Sequence, residues 1–360
     1  MHRRHHHHGV ISIAAAVAWV GFAATAVCGP REDAAGAYQR GDYATAFNDF
    51  RALADHGDAH AQYMLGLMYH DGQGISPDEN AAFAWFRKAA EQGNADAENY
   101  VGYMYTNGQG VAEDRVAGFT WLHKAALQGN ATAQYRLGIA YVDGKGTTQD
   151  DTRAVTWFRK SAEQGNADAQ FWLGLSYDQA AGVPQDYAAA LLWYRKSADQ
   201  GNGMAQYAVG LMYYKGHGVQ KDLVQAYRWF MLSTARESDL RADAAAMLKK
   251  VASEMTPAQI ASAQNSALEG TRKQRLHAFH FVESSPADAA PALLQICRTA
   301  FALKAAPTRI KEPQLSRSPS GSDIHPEPIF DIARKNRAFW RRNNKKVASA
   351  VNIITVQELL

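Results

Sequence analysis

The sequence predicts an all-α chain: an α/α superhelical solenoid of helix-turn-helix units with a 36-residue period, followed by a disordered C-terminal tail. Three observations predict it. The tripeptide Gln92-Gly93-Asn94 returns at Gln128, Gln164 and Gln200, each 36 residues on. Whole columns keep that register: Trp85, Trp121, Trp157, Trp193 and Trp229; Tyr69, Tyr105, Tyr141, Tyr177 and Tyr213; Gly66, Gly102, Gly138, Gly174 and Gly210. No insertion breaks the spacing across five units, so every loop has one length and each unit should relate to the next by nearly the same rotation.

The elements follow in order. Residues 1–26 read as an export signal: Arg3-Arg4 and a histidine run precede an apolar stretch from Val10 to Phe22, and Ala24-Thr25-Ala26 fits small-x-small cleavage. The expected product is periplasmic or secreted, cut after Ala26. Lipid anchoring at Cys28 is disfavoured because Val27 stands where a small residue is usual. Residues 27–57 form an N-terminal partial repeat, since Asp42 extends the column Asp78, Asp114, Asp150, Asp186 and Asp222 back by one step.

Residues 58–237 hold five units. The first helix of a unit, 58–71 in its first copy, carries Ala61, Leu65 and Tyr69 on one face. It stops at a glycine loop, Gly72-Gln73-Gly74, in which at least one glycine is expected at positive φ. The recurring aspartates then read as N-caps of the second helix, 79–91, each worth about 1 kcal/mol against alanine. That helix presents Ala82, Trp85, Phe86 and Ala89 to its neighbours, the tryptophan as core filler. Gly93 stops it and Asn94 caps the next unit. The fourth unit has Ala180 where the others have glycine, which should cost roughly 1 kcal/mol or change the loop path, so the array is expected to be least regular there.

Residues 238–270 are read as capping helices, with Thr256 as cap and Pro257 at the first helical position. Residues 271–360 contain seven of the eleven prolines and 15 Lys and Arg against 7 Asp and Glu, which reads as a basic, mostly disordered tail. Its Phe339-Trp340-Arg341-Arg342 patch is a contact for an anionic membrane surface or for nucleic acid, or else a solvated charge run, the reading favoured in the absence of any nucleic-acid module. The rest of the chain is acidic, which argues against nucleic acid as a ligand of the repeats.

The unit Ala61-x3-Leu65-Gly66-x2-Tyr69-x2-Gly72-x-Gly74, followed by Asp78, Ala82, Trp85, Ala89-Ala90 and Gly93, resembles the Sel-one-like repeat, a longer relative of the tetratricopeptide repeat. The resemblance covers about residues 42–237 and implies a solenoid that recruits other proteins. The repeats contain no cysteine, which separates them from the disulfide-rich secreted branch of that family.

No catalytic frame is present: there is no H-E-x-x-H, G-x-S-x-G or S-x-x-K, and the glycine loops lack the G-K-[ST] ending of a phosphate cradle. The pairs His56 with His60 and His277 with His280 lack a third ligand nearby in sequence. The chain is therefore read as a non-enzyme without cofactor or metal. It is expected to be a monomer that binds a protein or extended peptide on its concave face. The alternative is a cell-envelope enzyme acting on peptidoglycan or a β-lactam, with carboxylates paired between units.

If the first helices line the inner curve, the stripe opposite the Ala-Leu-Tyr core comprises three columns. Tyr63, Asn99, Tyr135, Phe171 and Tyr207 form one, and His70, Thr106, Val142, Asp178 and Tyr214 another; these two vary in polarity and are the candidate partner-binding residues. The large, mostly apolar column Leu67, Tyr103, Ile139, Leu175 and Leu211 is assigned to contacts between units. The tyrosines of the first column are either interface anchors or packing for the adjacent repeat.

Overall fold

The computed structural model describes residues 29–234 and 240–269. The leader, the tail, Cys28 and the pair His277 and His280 lie outside the described residues. Within them every regular element is a helix. An N-terminal pair, α1 (Pro30–Gln39) and α2 (Tyr43–Asp55), is followed by α3 (Ala59–Asp71) with α4 (Glu79–Glu91) and α5 (Ala95–Asn107) with α6 (Arg115–Leu127). Then come α7 (Ala131–Asp143) with α8 (Asp151–Glu163), α9 (Ala167–Gln179) with α10 (Tyr187–Asp199) and α11 (Gly203–Lys215) with α12 (Leu223–Thr234). α13 (Arg241–Ser253) and α14, residues 257–269, close the array. Extensive contacts join helices that are consecutive in the chain, which is the packing of a one-dimensional stack.

The helix ends follow from local chemistry. Asp42, Asp78, Asp114, Asp150, Asp186 and Asp222 each accept a backbone N–H two or three residues on, so all six aspartates are N-caps. Asp58, Asn94, Asn130, Asn166 and Asn202 do the same for the first helices. Between the two helices the aspartate's own N–H donates to the carbonyl of the tyrosine column, as from Asp78 to Tyr69 at 2.9 Å, which fixes the loop path. At the far end Thr256 and Gln259 form a reciprocal capping box, with Thr256 N–H donating to Gln259 Oε1 at 2.8 Å.

Both loop glycines take positive φ, and the second has a steric duty as well. A Cβ on Gly146 would lie 2.0 Å from the carbonyl oxygen of Arg115, in the unit before, so this column sets how closely one unit sits on the last. Ala180 corrects the expectation of an irregular fourth unit. Its φ of 57° and ψ of 32° match Gly144 at 63° and 33°, and the loop runs as in the other units. The regular contacts on either side hold the alanine in the left-handed region; the strain is retained and the path is not changed.

Within a unit the helices meet at the Gly66 column. A Cβ on Gly138 would stand 2.5 Å from Phe158 Cε1, and the other four copies are equally close to Phe86, Leu122, Tyr194 and Phe230. Around this contact lie the fully buried alanines and leucines of the first helices. Trp85, Trp157 and Trp229 are buried, and Lys88, Lys124, Lys160 and Lys196 lie over the indoles of Trp85, Trp121, Trp157 and Trp193 at 3.7–4.3 Å. The tryptophans thus pack as buried or half-buried residues, and four of the five have a lysine three positions on lying over the indole.

A buried amide ladder ties the units together. Gln62, Gln134, Gln170 and Gln206 donate to the carbonyls of Ala54, Ala126, Ala162 and Ala198 in the preceding second helix, at 3.1–3.2 Å. The side chains of Gln92, Gln164 and Gln200, at the ends of α4, α8 and α10, donate in turn to Gln62, Gln134 and Gln170. The second unit has Glu98 in this column.

Candidate functional site: the open face of the first helices

The side chains that the first helices leave accessible belong to a stripe different from the one expected from sequence. The column of Tyr63 is turned towards the second helix of its own unit. Tyr63, Tyr135, Phe171 and Tyr207 make ring contacts with Phe86, Phe158, Tyr194 and Phe230 at 5.4–6.3 Å. Phe171 and Tyr207 are fully buried, Asn99 is buried, and Tyr63 and Tyr135 are half-buried. Burial raises the Tyr207 phenol to about 12. The packing reading of these aromatics is the one the geometry favours.

The column of His70 also leans on neighbouring elements. His70 Nδ1 lies 3.0 Å from Glu79 Oε2, and that bond holds the imidazole above its ordinary pKa. Thr106 Oγ1 donates to the Gly102 carbonyl at 2.8 Å, and Tyr194 donates its hydroxyl to Asp178 at 3.3 Å. Burial raises the Asp178 carboxyl. Tyr214 donates to Glu254 at 2.7 Å, which ties the end of α13 to the fifth unit. Val142 lines a cavity of about 170 Å³ with Trp172, Leu175 and Gln179.

The accessible stripe runs through His60, Met64, Leu67 and Asp71, then Asp96, Tyr100, Tyr103 and Asn107, then Thr132, Arg136, Ile139 and Asp143. In these three units its members are half-buried or exposed, whereas Trp172, Leu175, Ala208 and Leu211 in the last two are buried. The column Met64, Tyr100, Arg136, Trp172 and Ala208 carries five different residues, as varied as the His70 column, and the sequence reading passed over it. Its variety was the available signal. Tyr100 stacks on Phe86 at 4.6 Å with its phenol raised by burial, and Arg136 lies over the Tyr103 ring at 4.4 Å.

This is a surface of rings, thioether and one guanidinium rimmed by polar groups, the composition of a protein-binding patch. Among the described residues no group of three or more His, Cys, Asp or Glu could hold a metal ion, and no helix is long and apolar enough to cross a membrane.

The model of the Sel1 repeat family matches residues 59–94, 95–130, 131–166, 167–202 and 203–233. Among solved structures, a Sel1 repeat protein from Oxalobacter formigenes is 29% identical, with a TM-score of 0.57 over 66% of this chain and 98% of its own. The protein c5321, a protective antigen of uropathogenic Escherichia coli strains with this repeat fold, is 28% identical over 72% of this chain and 64% of its own, with a TM-score of 0.49. No curated protein matches the sequence. Five consecutive matches in register with five helix pairs make residues 59–233 of this chain an array of Sel1 repeats.

Proposed function

We propose that this chain is an exported scaffold whose first three Sel1 units hold a protein or extended peptide partner along the open face of α3, α5 and α7. The observation that carries the reading is the contrast between stripes. The recurring columns of the repeat are consumed by packing and capping, while Tyr100, Tyr103 and Arg136 vary from their counterparts and sit half-buried on the stripe that the first helices leave accessible. Large rigid rings give contact area at small entropic cost, and a half-buried arginine gives direction. A Sel1 repeat scaffold needs no covalent step for this role. The leader supports delivery outside the cytoplasm, with a mature chain starting at Val27.

A photo-crosslinking side chain placed at Asp96, Asn107 or Thr132, all exposed on the open stripe, tests this in the native host. The control positions are Val116 and Leu192, exposed on second helices. Adducts to one partner from the first set alone are expected. Adducts from the control set alone would move the binding surface to the second-helix layer. N-terminal sequencing of the exported protein checks cleavage after Ala26.

A further inference from the structure

The second unit departs from its neighbours at positions that converge. Where the other units place an aromatic ring against the second helix, it has Asn99. Where the others have Phe86, Phe158, Tyr194 and Phe230, it has Leu122. In two other units that phenylalanine stacks on the open stripe of the next one, Phe86 on Tyr100 and Phe158 on Trp172. The equivalent pair here is Leu122 and Arg136, with no ring to stack.

Arg136 turns to α5 instead. Its Nη1 donates to Asn99 Oδ1 at 2.7 Å, and its Cζ lies 4.4 Å from the centre of the Tyr103 ring. These contacts fix the guanidinium plane. Among the described residues its Nε and Nη2 atoms have no hydrogen-bond acceptor, and the side chain is half-buried on the open stripe. That edge is the one arginine presents to a carboxylate in two parallel bonds. Seven other arginine and lysine side chains of the described residues have a carboxylate within ion-pair distance; Arg136 has none. Burial draws its pKa below the ordinary arginine value, so the cation is held where water solvates it poorly.

We propose that the Arg136 edge, framed by Asn99 and Tyr103, is a binding site for a carboxylate of the partner peptide. This rests on the reading of the open face as the partner surface and adds its chemical selectivity. Asp71 and Asp96 both act on the adjacent Tyr100, so the surroundings are acidic and select a singly charged carboxylate over a doubly charged phosphate. A peptide C-terminus and an Asp or Glu side chain carry the same group.

The test is a nuclear magnetic resonance titration of the full chain, labelled with 15N-arginine, following the Arg136 Nε–Hε signal. Acetate is the first probe, against chloride at equal ionic strength. A saturable shift of the Arg136 signal with acetate alone is expected. Parallel movement of all exposed arginines, or an equal effect of chloride, overturns the proposal. Arg136→Lys keeps the charge but removes the fork; in uniformly 15N-labelled chains followed at the side-chain amide of Asn99, the residue that Arg136 bonds, acetate affinity should fall about tenfold from wild type, as expected for losing one charge-assisted bond.

Three acetylated Ala/Tyr octapeptides then distinguish the sources: one with a free C-terminus, one amidated, and one amidated with a central Glu. Response to the first assigns a C-terminal carboxylate, response to the third a side chain, and equal response to all three refutes carboxylate recognition. A photo-crosslinked partner retained equally by wild type and Arg136→Lys leaves the scaffold reading standing and removes this one. Acetate binding at Arg136 without any adduct on the open face does the reverse.

Discussion

Replacing Glu98 by glutamine should stabilise the array, and by an amount that depends on pH. In the other four units the equivalent glutamine donates to an alanine carbonyl in the preceding second helix. Glu98, which is 4% exposed, accepts from Gln128 Nε2 at 2.7 Å but as a carboxylate has no proton for the carbonyl of Ala90. Burial raises its pKa, and the bond from Gln128 and the charge of Lys124 offset that only in part, so the ionised form is a net cost to the fold. Glutamine restores one amide-to-carbonyl bond, worth about 1 kcal/mol, and removes the buried charge. It gives up the extra strength of a charge-assisted bond from Gln128, which is smaller than the cost removed because the net shift is upward.

The expected gain is about 1–2 kcal/mol near neutral pH, or roughly 2–6 °C in midpoint for an array of this size. A carboxyl with a raised folded-state pKa makes the folded chain hold a proton that the unfolded chain has released. Wild-type stability therefore falls as pH rises from the ordinary carboxylate range through the raised value, and then levels. Near pH 4 the protonated Glu98 can itself donate to Ala90, so the two proteins should converge there. Urea unfolding followed by circular dichroism, near pH 7 and near pH 4, measures both numbers. A glutamine variant less stable than wild type near pH 7, or a difference that does not change with pH, would refute the reasoning.

Three further outcomes are expected. Ala180→Gly should leave the loop path unchanged and raise stability by up to about 1 kcal/mol, because relief of left-handed strain exceeds the added freedom of the unfolded chain; an unchanged or lower urea midpoint would count against it. Gly138→Ala should cost about 2 kcal/mol or more, since its methyl would enter the ring of Phe158 and part α7 from α8; thermal unfolding measures this. The His70 and Glu79 pair contributes stability that is fully present below the ordinary histidine pKa, near 6.5, and is lost as pH rises through the raised folded value. Glu79→Gln should bring the His70 titration down, as read by proton resonance, and an unmoved titration would assign the shift to another group.

What the sequence determined by itself was everything set within a few residues or by the period: five units, the loop lengths, six aspartate caps, the asparagine caps, the glycine stops and the core columns Ala61, Leu65 and Tyr69. These are interactions between i and i+2, i+3 or i+4, written directly in residue order. The open face was decided by tertiary structure. With only the Ala-Leu-Tyr direction as core, the free stripe should pass through residues 63, 67 and 70. The second helix, however, docks on Gly66 and occupies a second direction of the same helix, so the free stripe rotates by roughly 60° to residues 60, 64, 67 and 71. Gly66 and Phe86 were both visible as columns, but nothing local says that one lies on the other. Arg136 was illegible for the same reason. Its meaning comes from Asn99, 37 residues earlier, and from Leu122 at the place of a ring, which only stacking the units brings to one point.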